Sequence, residues 1–434
     1  PKFYNGTGGT YDYLVPEETA RALLAKLQGA GKPRPSAENK GGAKGTADQR
    51  SEETDHLQQK SEGSGVQSIM PPNFGDEYRR IEALPKEERL SLLERAKERL
   101  DAVAGNSKAT AEEVNEALVT TTTEAALANR ATIQEALRMG NEEAKAYTEE
   151  LVTATQEMIQ STAPLIDHDL YDEELISHMV ERSNGTVVQH MTRVFLTGFA
   201  FMLYYNREFL TSSLANRIRI DFSRRYRGHY RKLLPHLHED YLNLEHVFYG
   251  GIKALSEVEL NRFATGFLVH DVGKAEDIEY HEGEAGFDRE TVVRHVKLGY
   301  KAVMNKTTYP REAALITGYH HEYYGDESGY GYFREFLQAY KNMKPEARID
   351  YLMSYEMEPL LDYQVLAYFP AKMLEVVDVF DSLTDPNRKY RKPLTPPEAM
   401  ELLQKQFVEE KLKVDPIILD LYHAFLRERG VLES

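Results

Sequence analysis

The stretch FATGFLVHDVGK, residues 263–274, is an apolar run at helical spacing that closes on His270 and Asp271 and then breaks at Gly273 and Lys274. Adjacent side chains on a helix point about 100° apart, so His270 and Asp271 cannot fork onto one small ligand, but they can face two neighbouring metal ions. Neutral imidazole and carboxylate suit borderline and hard divalent cations. Two such ions sharing an oxygen can make a nucleophile of water near neutral pH. The stretch thus predicts a helix and, at its end, a two-metal hydrolase. A lone His-Asp pair is more often a buried histidine beside a helix-end carboxylate, so the surroundings decide.

Outward from it, four further stretches repeat the theme. Upstream, Arg182, Asn184 and Thr186 lead into His190, with Arg193 and the apolar run VFLTGFAFMLYY (residues 194–205) behind it. Downstream come His295 in RHVKLGY, then His320, His321 and Glu322 between PREAALITGY and the glycine-rich GDESGYG, and Asp378 in EVVDVFDSLT, followed by Arg388 and Arg391. Each of these His and Asp residues sits on or beside an apolar helix pattern, where an unpaired polar group is costly. One such residue has a simple explanation. Six do not.

Composition narrows the chemistry. The 434 residues carry 70 acidic and 53 basic side chains, a net charge of -17 that disfavours non-specific binding to nucleic acid or anionic lipid. A polyanionic substrate would need a local cluster of cations or metal ions. The chain has no Cys, so a metal site must be built from His, Asp and Glu. No secretory signal is visible, and the apolar run 194–205 is shorter than the roughly 20 residues of a membrane span. The expectation is a cytoplasmic protein without a membrane span and without a nucleic-acid partner.

The pattern is helical throughout, which predicts an all-α fold. Residues 1–27 form a short N-terminal segment with an amphipathic piece at 16–27. Residues 28–75 lack large apolar side chains and read as a disordered linker. Residues 76–165 read as a charged helix restarted at Pro85, then a capping box at Thr110 and Glu113, a break at Gly140-Asn141 and a stop at Pro164. Val114, Leu118, Ile133, Leu137, Ala144, Tyr147, Leu151 and Met158 form a thin seam there, suited to a helical hairpin or to a coiled-coil element that relays a signal or forms a homodimer. Residues 166–434 hold the histidine chemistry: of 14 His, only His56 precedes this part.

The order of motifs over roughly residues 175–425 resembles the HD-GYP branch of the HD phosphohydrolase superfamily: a lead-in Arg/Asn/Thr and His, HDxGK, RHxxxG, HHE with a glycine-rich turn, DVFDxLT and a basic cluster. The resemblance implies an all-helical phosphohydrolase domain with an iron or manganese centre that hydrolyses cyclic di-GMP to pGpG or GMP. By its motif positions, the metal ligands fall on His190, His270, Asp271, His295, His320, His321 and Asp378, with Asp271 bridging. Lys274, Arg388 and Arg391 fall on the phosphate-contacting positions, and Asp271 and Lys274 on the catalytic ones. Positive charge there agrees with what an acidic chain needs to hold a phosphodiester.

The sequence also differs from that pattern. The span between His190 and His270 is longer than the family's usual one and contains an insert, residues 206–243, with Arg217, Arg219, Arg224, Arg225, Arg227, Arg231 and Lys232. His238 lies nearer the HD pair and rivals His190 as first ligand; His190 is preferred for its flanks. The insert reads as a solvated amphipathic helix or as a nucleic-acid surface. No carboxylate stands just before His190, which favours two divalent metal ions over three. The turn reads Gly329-Tyr330-Gly331, with Gly in place of Pro, and a second insert at 332–364 reads as surface decoration or as a lid. Alternative readings are therefore a phosphohydrolase for another nucleotide, and an inactive sensor that binds a cyclic dinucleotide.

Overall fold

A computed structural model describes residues 3–5, 12–16, 80–181, 187–275, 289–324, 329–332, 349–362, 364–386 and 392–433. The chain divides into two units, Pro1–Asn73 and Phe74–Ser434. In the first, strand β1 (Phe3–Asn5) pairs antiparallel with β2 (Asp12–Pro16). The helix expected after Pro16 and the linker expected at 28–75 lie outside the described residues.

The second unit is mostly helical. It opens with α1 (Lys86–Ala104), α2 (Ala111–Ala136) and α3 (Asn141–Ile166). Pro85 caps α1, where its missing N–H costs nothing. Thr110 and Glu113 cap α2 reciprocally, each side chain meeting the other's backbone N–H. The stop expected at Pro164 does not occur: the helix runs two residues further. A proline in a last turn forfeits one backbone bond, and Leu165 and Ile166 beyond it are buried, which offsets the loss.

These three helices are not a detached rod. Thr123 on α2 hydrogen-bonds Thr192 at 3.1 Å. Thr148 on α3 donates to the Lys306 carbonyl at 3.1 Å, and Lys306 Nζ donates to the Met139 carbonyl at 2.6 Å. Tyr309 donates to Asn129, which in turn donates to Thr155 at 3.0 Å. The seam is covered from within the chain, with Val114, Leu118, Ile133, Ala144, Leu151 and Met158 all buried. Residues 86–166 therefore pack against the rest of the second unit, and these seam residues are covered within the chain.

After α4 (Glu173–Glu181), α5 (Val187–Thr211) runs through the core. Phe195, Phe199, Phe201 and Tyr205 on it are buried, each contributing about 1.5–3 kcal/mol. The insert folds as α6 (Leu214–Asp221), a π-helical segment (Phe222–Tyr226) and α7 (Arg227–Leu233), and the short α8 (Leu244–Val247) follows it. Then come α9 (Glu257–Val269), a 3-10 turn (Val272–Ala275), α10 (Arg289–Lys306) and α11 (Arg311–Tyr319). Strands β3 (Tyr351–Ser354) and β4 (Val365–Tyr368) pair in parallel around the one-turn α12 (Glu358–Leu361), with Tyr351 opposite Val365. The chain closes with α13 (Phe369–Thr384), α14 (Pro396–Leu402), a second π-helical segment (Leu403–Glu410) and α15 (Pro416–Glu428). Helix α5 packs on α9 and α13, and α11 joins α9, α10 and α13. Those five helices carry the predicted His and Asp residues.

Candidate metal centre

Helix α9 ends where its sequence turns polar, so His270 caps it and Asp271 follows directly. Gly273 then allows a close approach: a Cβ there would overlap the His295 carbonyl and fall 2.6 Å from the Gly299 nitrogen. The glycines of HDVGK and RHVKLGY are thus two sides of one backbone contact, which sets Asp271 against His295. Their Asp271 Oδ1 to His295 Nε2 distance is 3.2 Å.

Seven predicted residues meet in one cluster, and none is more than 7% exposed. Asp271 is at its centre. Its Oδ2 lies 3.6 Å from both His190 Nε2 and His270 Nε2, and its Oδ1 lies 3.9 Å from His320 Nε2. Asp378, from α13, closes the other side, 2.8 Å from His190 Nε2 and 3.7 Å from His321 Nδ1. Ligand atoms of His190, His270 and Asp271 lie within 4.8 Å of one another, as do those of His295, His320 and His321. These buried groups can hold metal ions.

The protonation pattern suits a cation. His270 Nδ1 and His320 Nδ1 each face a backbone carbonyl at 2.8 Å, of Phe267 and Thr317. A carbonyl only accepts, so both Nδ1 atoms carry the proton and both Nε2 atoms present a lone pair inward. His270 Nε2 and His321 Nδ1 are buried without a hydrogen-bond partner. Nε2 of His320 and Nε2 of His295 face each other at 3.4 Å, an arrangement that a proton or a cation stabilises. Burial holds His270 and His321 below the ordinary imidazole range and takes His320 down to about 3, helped by neighbouring histidines. Burial alone would raise Asp271 and Asp378, but Lys274 beside the first and His190 beside the second keep both well below the usual carboxylate range. Neutral imidazoles and ionised carboxylates are the forms that bind divalent ions.

His190 is held from behind. Its Nδ1 is 2.7 Å from Asp381 Oδ2, and Arg193 binds the same carboxylate through Nε at 2.5 Å and Nη2 at 3.2 Å, with Asp385 at 2.9 Å. Burial lowers the His190 pKa, but Asp378 and Asp381 outweigh it and raise it. The sequence reading named Arg193 only as a flank of His190 and passed over Asp381 and Asp385. Their signal was the spacing: Asp378 and Asp381 are three apart in DVFDSLT, as are His190 and Arg193, so each pair shares a helix face.

His238 stands outside the cluster, 70% exposed, with Nδ1 3.2 Å from Asp240. Lys274 ion-pairs with Asp271. Arg388 and Arg391 lie outside the described residues. The Tyr330 ring lies 4.4 Å from that of His321, tilted by 34°, and a Cβ on Gly331 would overlap the Glu322 carboxylate, so the turn closes tightly under the histidine pair. In the basic insert the arginines are matched by local acids: Arg217 by Glu208, Arg219 by Glu245, Arg224 by Asp221, Arg225 by Asp420, and Arg227 and Arg231 by Glu239. No helix among the described residues is long and apolar enough to cross a membrane.

No family model matches the chain, and the searches of curated proteins and of solved structures gave no match either.

Proposed function

We propose that the chain is a cytoplasmic metal-dependent phosphohydrolase that hydrolyses cyclic di-GMP to pGpG or GMP. The observation that carries this reading is the placement of Asp271, a member of the first triad of ligand atoms, with one oxygen toward His190 and His270 and the other toward His295 and His320 of the second. His190, His270 and Asp271 would hold one ion and His295, His320 and His321 the other, with Asp378 beside both. Iron or manganese bound there would supply an activated water and offset charge on the phosphoryl oxygens. Lys274 brings a cation to the edge of the cluster, suited to a non-bridging phosphate oxygen. Arg388 and Arg391 are assigned to the second phosphate, where they would orient the dinucleotide. Asp381 and Arg193 fix the ring of His190 and so its lone pair.

A phosphohydrolase acting on another nucleotide is the second reading, favoured by the Gly-Tyr-Gly turn, whose Gly331 packs where a side chain would meet Glu322. The test is to incubate protein loaded with manganese, or anaerobically with iron, with cyclic di-GMP, cyclic GMP-AMP and pGpG. Cyclic di-GMP is expected to be consumed fastest. Asp271→Ala should lose metal and activity together, whereas Lys274→Ala should keep metal and lose rate. Turnover by Asp271→Ala equal to that of the parent would refute the reading, and metal binding without turnover of any of the three would leave a sensor in its place.

A further inference from the structure

A second polar site lies between the insert and the C-terminal helices. It is a half-open cavity of about 300 Å³, at the lower end of the range for small-ligand pockets. Three independent irregularities converge on its wall. Both π-helical segments among the described residues line it, the first through Arg225 and Tyr226, the second through Gln404, Val408 and Glu409. Leu412, the one non-glycine residue with positive φ among the described residues (φ 51°), lines it too. His229 contributes an Nε2 that is buried without a hydrogen-bond partner. Inserted helical turns and backbone outliers are concentrated at ligand sites, and a buried polar atom without a partner calls for one.

The charges of the lining determine what fits. Arg225 is satisfied by Asp420 at 2.7 Å, and Tyr226 donates to the same carboxylate at 2.5 Å, so that group is internally neutral. Lys232 has no ion pair among the described residues. Glu409 is met only by the neutral amide of Gln404, at 3.0 Å. Burial brings the His229 imidazole down to about 4, so it is neutral near pH 7. One open cation, one open anion and one buried imidazole nitrogen without a hydrogen-bond partner remain, beside apolar surface from Val408, Leu412 and Pro416. A simple anion would answer Lys232 and be opposed by Glu409; a simple amine would do the reverse.

We propose that this cavity binds a small zwitterion of the free α-amino acid class, carboxylate toward Lys232, ammonium toward Glu409 and the His229 imidazole, side chain on the apolar wall. No residue of the His/Asp cluster lines it, so the proposal stands or falls apart from the metal-centre reading.

The experiment is calorimetric titration of the full chain with the standard L-amino acids one at a time. For each that binds, the matching amine without the carboxylate and the 2-hydroxy acid without the ammonium serve as controls. Saturable binding of at least one amino acid is expected, weakened about tenfold or more in Lys232→Met and in Glu409→Gln, with both controls weaker by a similar factor. Both substituted side chains are exposed, so these variants should keep the parent melting temperature. His229→Phe should weaken binding as well. Absence of binding by every amino acid at millimolar concentration, unchanged affinity in both charge variants, or equal affinity for either control would each overturn the proposal.

Discussion

Two buried polar clusters sit one turn apart on α13, and they are finished differently. Around Lys372 and Glu375 every group is met: Lys372 Nζ donates to both Glu375 oxygens at 2.7 Å and to the Lys413 carbonyl at 2.9 Å, with the Tyr324 ring centroid 3.9 Å away. Asp415 nearby accepts from Tyr230 at 2.9 Å, Tyr324 at 3.1 Å and the first amides of α15. Around Asp378, by contrast, His270 and His321 leave buried ring nitrogens without a hydrogen-bond partner. Each such atom costs about 1–3 kcal/mol. A satisfied network holds a fold together, while an unsatisfied one with converging lone pairs is shaped for something that arrives later.

The contrast breaks most visibly at Lys372. Lys372→Met leaves Glu375 buried without its cation and should cost about 3–5 kcal/mol in urea unfolding. His270→Leu, of similar volume, should leave the metal-free protein within about 1.5 kcal/mol of the parent while lowering its metal content. Comparable losses from both would erase the distinction. Next in size is Asp381→Asn, which keeps the shape beside His190 but removes the charge that orients it. Metal affinity by competition with a chelator should fall about 10- to 100-fold, with the histidine ligands all present.

The two clusters also differ in how they respond to pH. His320 is held at about 3 when folded and titrates near 6.5 when unfolded, so between those values the unfolded chain binds the extra proton. Stability of the metal-free protein should therefore fall as pH drops from 6.5 toward 3, by up to about 1.4 kcal/mol per unit for this group. Glu375 has the opposite sign: burial takes it up to about 7, so its contribution is present below the unfolded value of 4.5 and is lost as pH rises through 7. In melting curves across pH, His320→Leu should flatten the acid fall and Glu375→Gln should steepen it.

Local rules made much of this legible beforehand. The capping box at Thr110, the start after Pro85 and the break at Gly140 are fixed by side chains within four residues, and the helices begin and end there. The cluster residues could be named because each is a polar residue on an apolar helix pattern, and burial there demands a reason. What the pattern could not carry was depth in the third dimension. The seam of α2 and α3 has the same periodicity whether it covers a partner or the chain's own core, so the packing of Thr123 on Thr192 was invisible. Asp381 was hidden by Asp378, three residues earlier on the same face, since either carboxylate alone would account for the motif. The insert read as one amphipathic helix, and its π-helical break at Phe222–Tyr226 was invisible, because one inserted residue shifts the register without erasing the pattern on either side.

Elemental analysis of protein reconstituted with manganese and freed of excess ions tests the central claim most directly. Two ions per chain are expected in the parent, one for each triad, falling in Asp271→Ala with the fold intact by circular dichroism. A parent protein that retains no manganese, and none after anaerobic loading with iron, would contradict it.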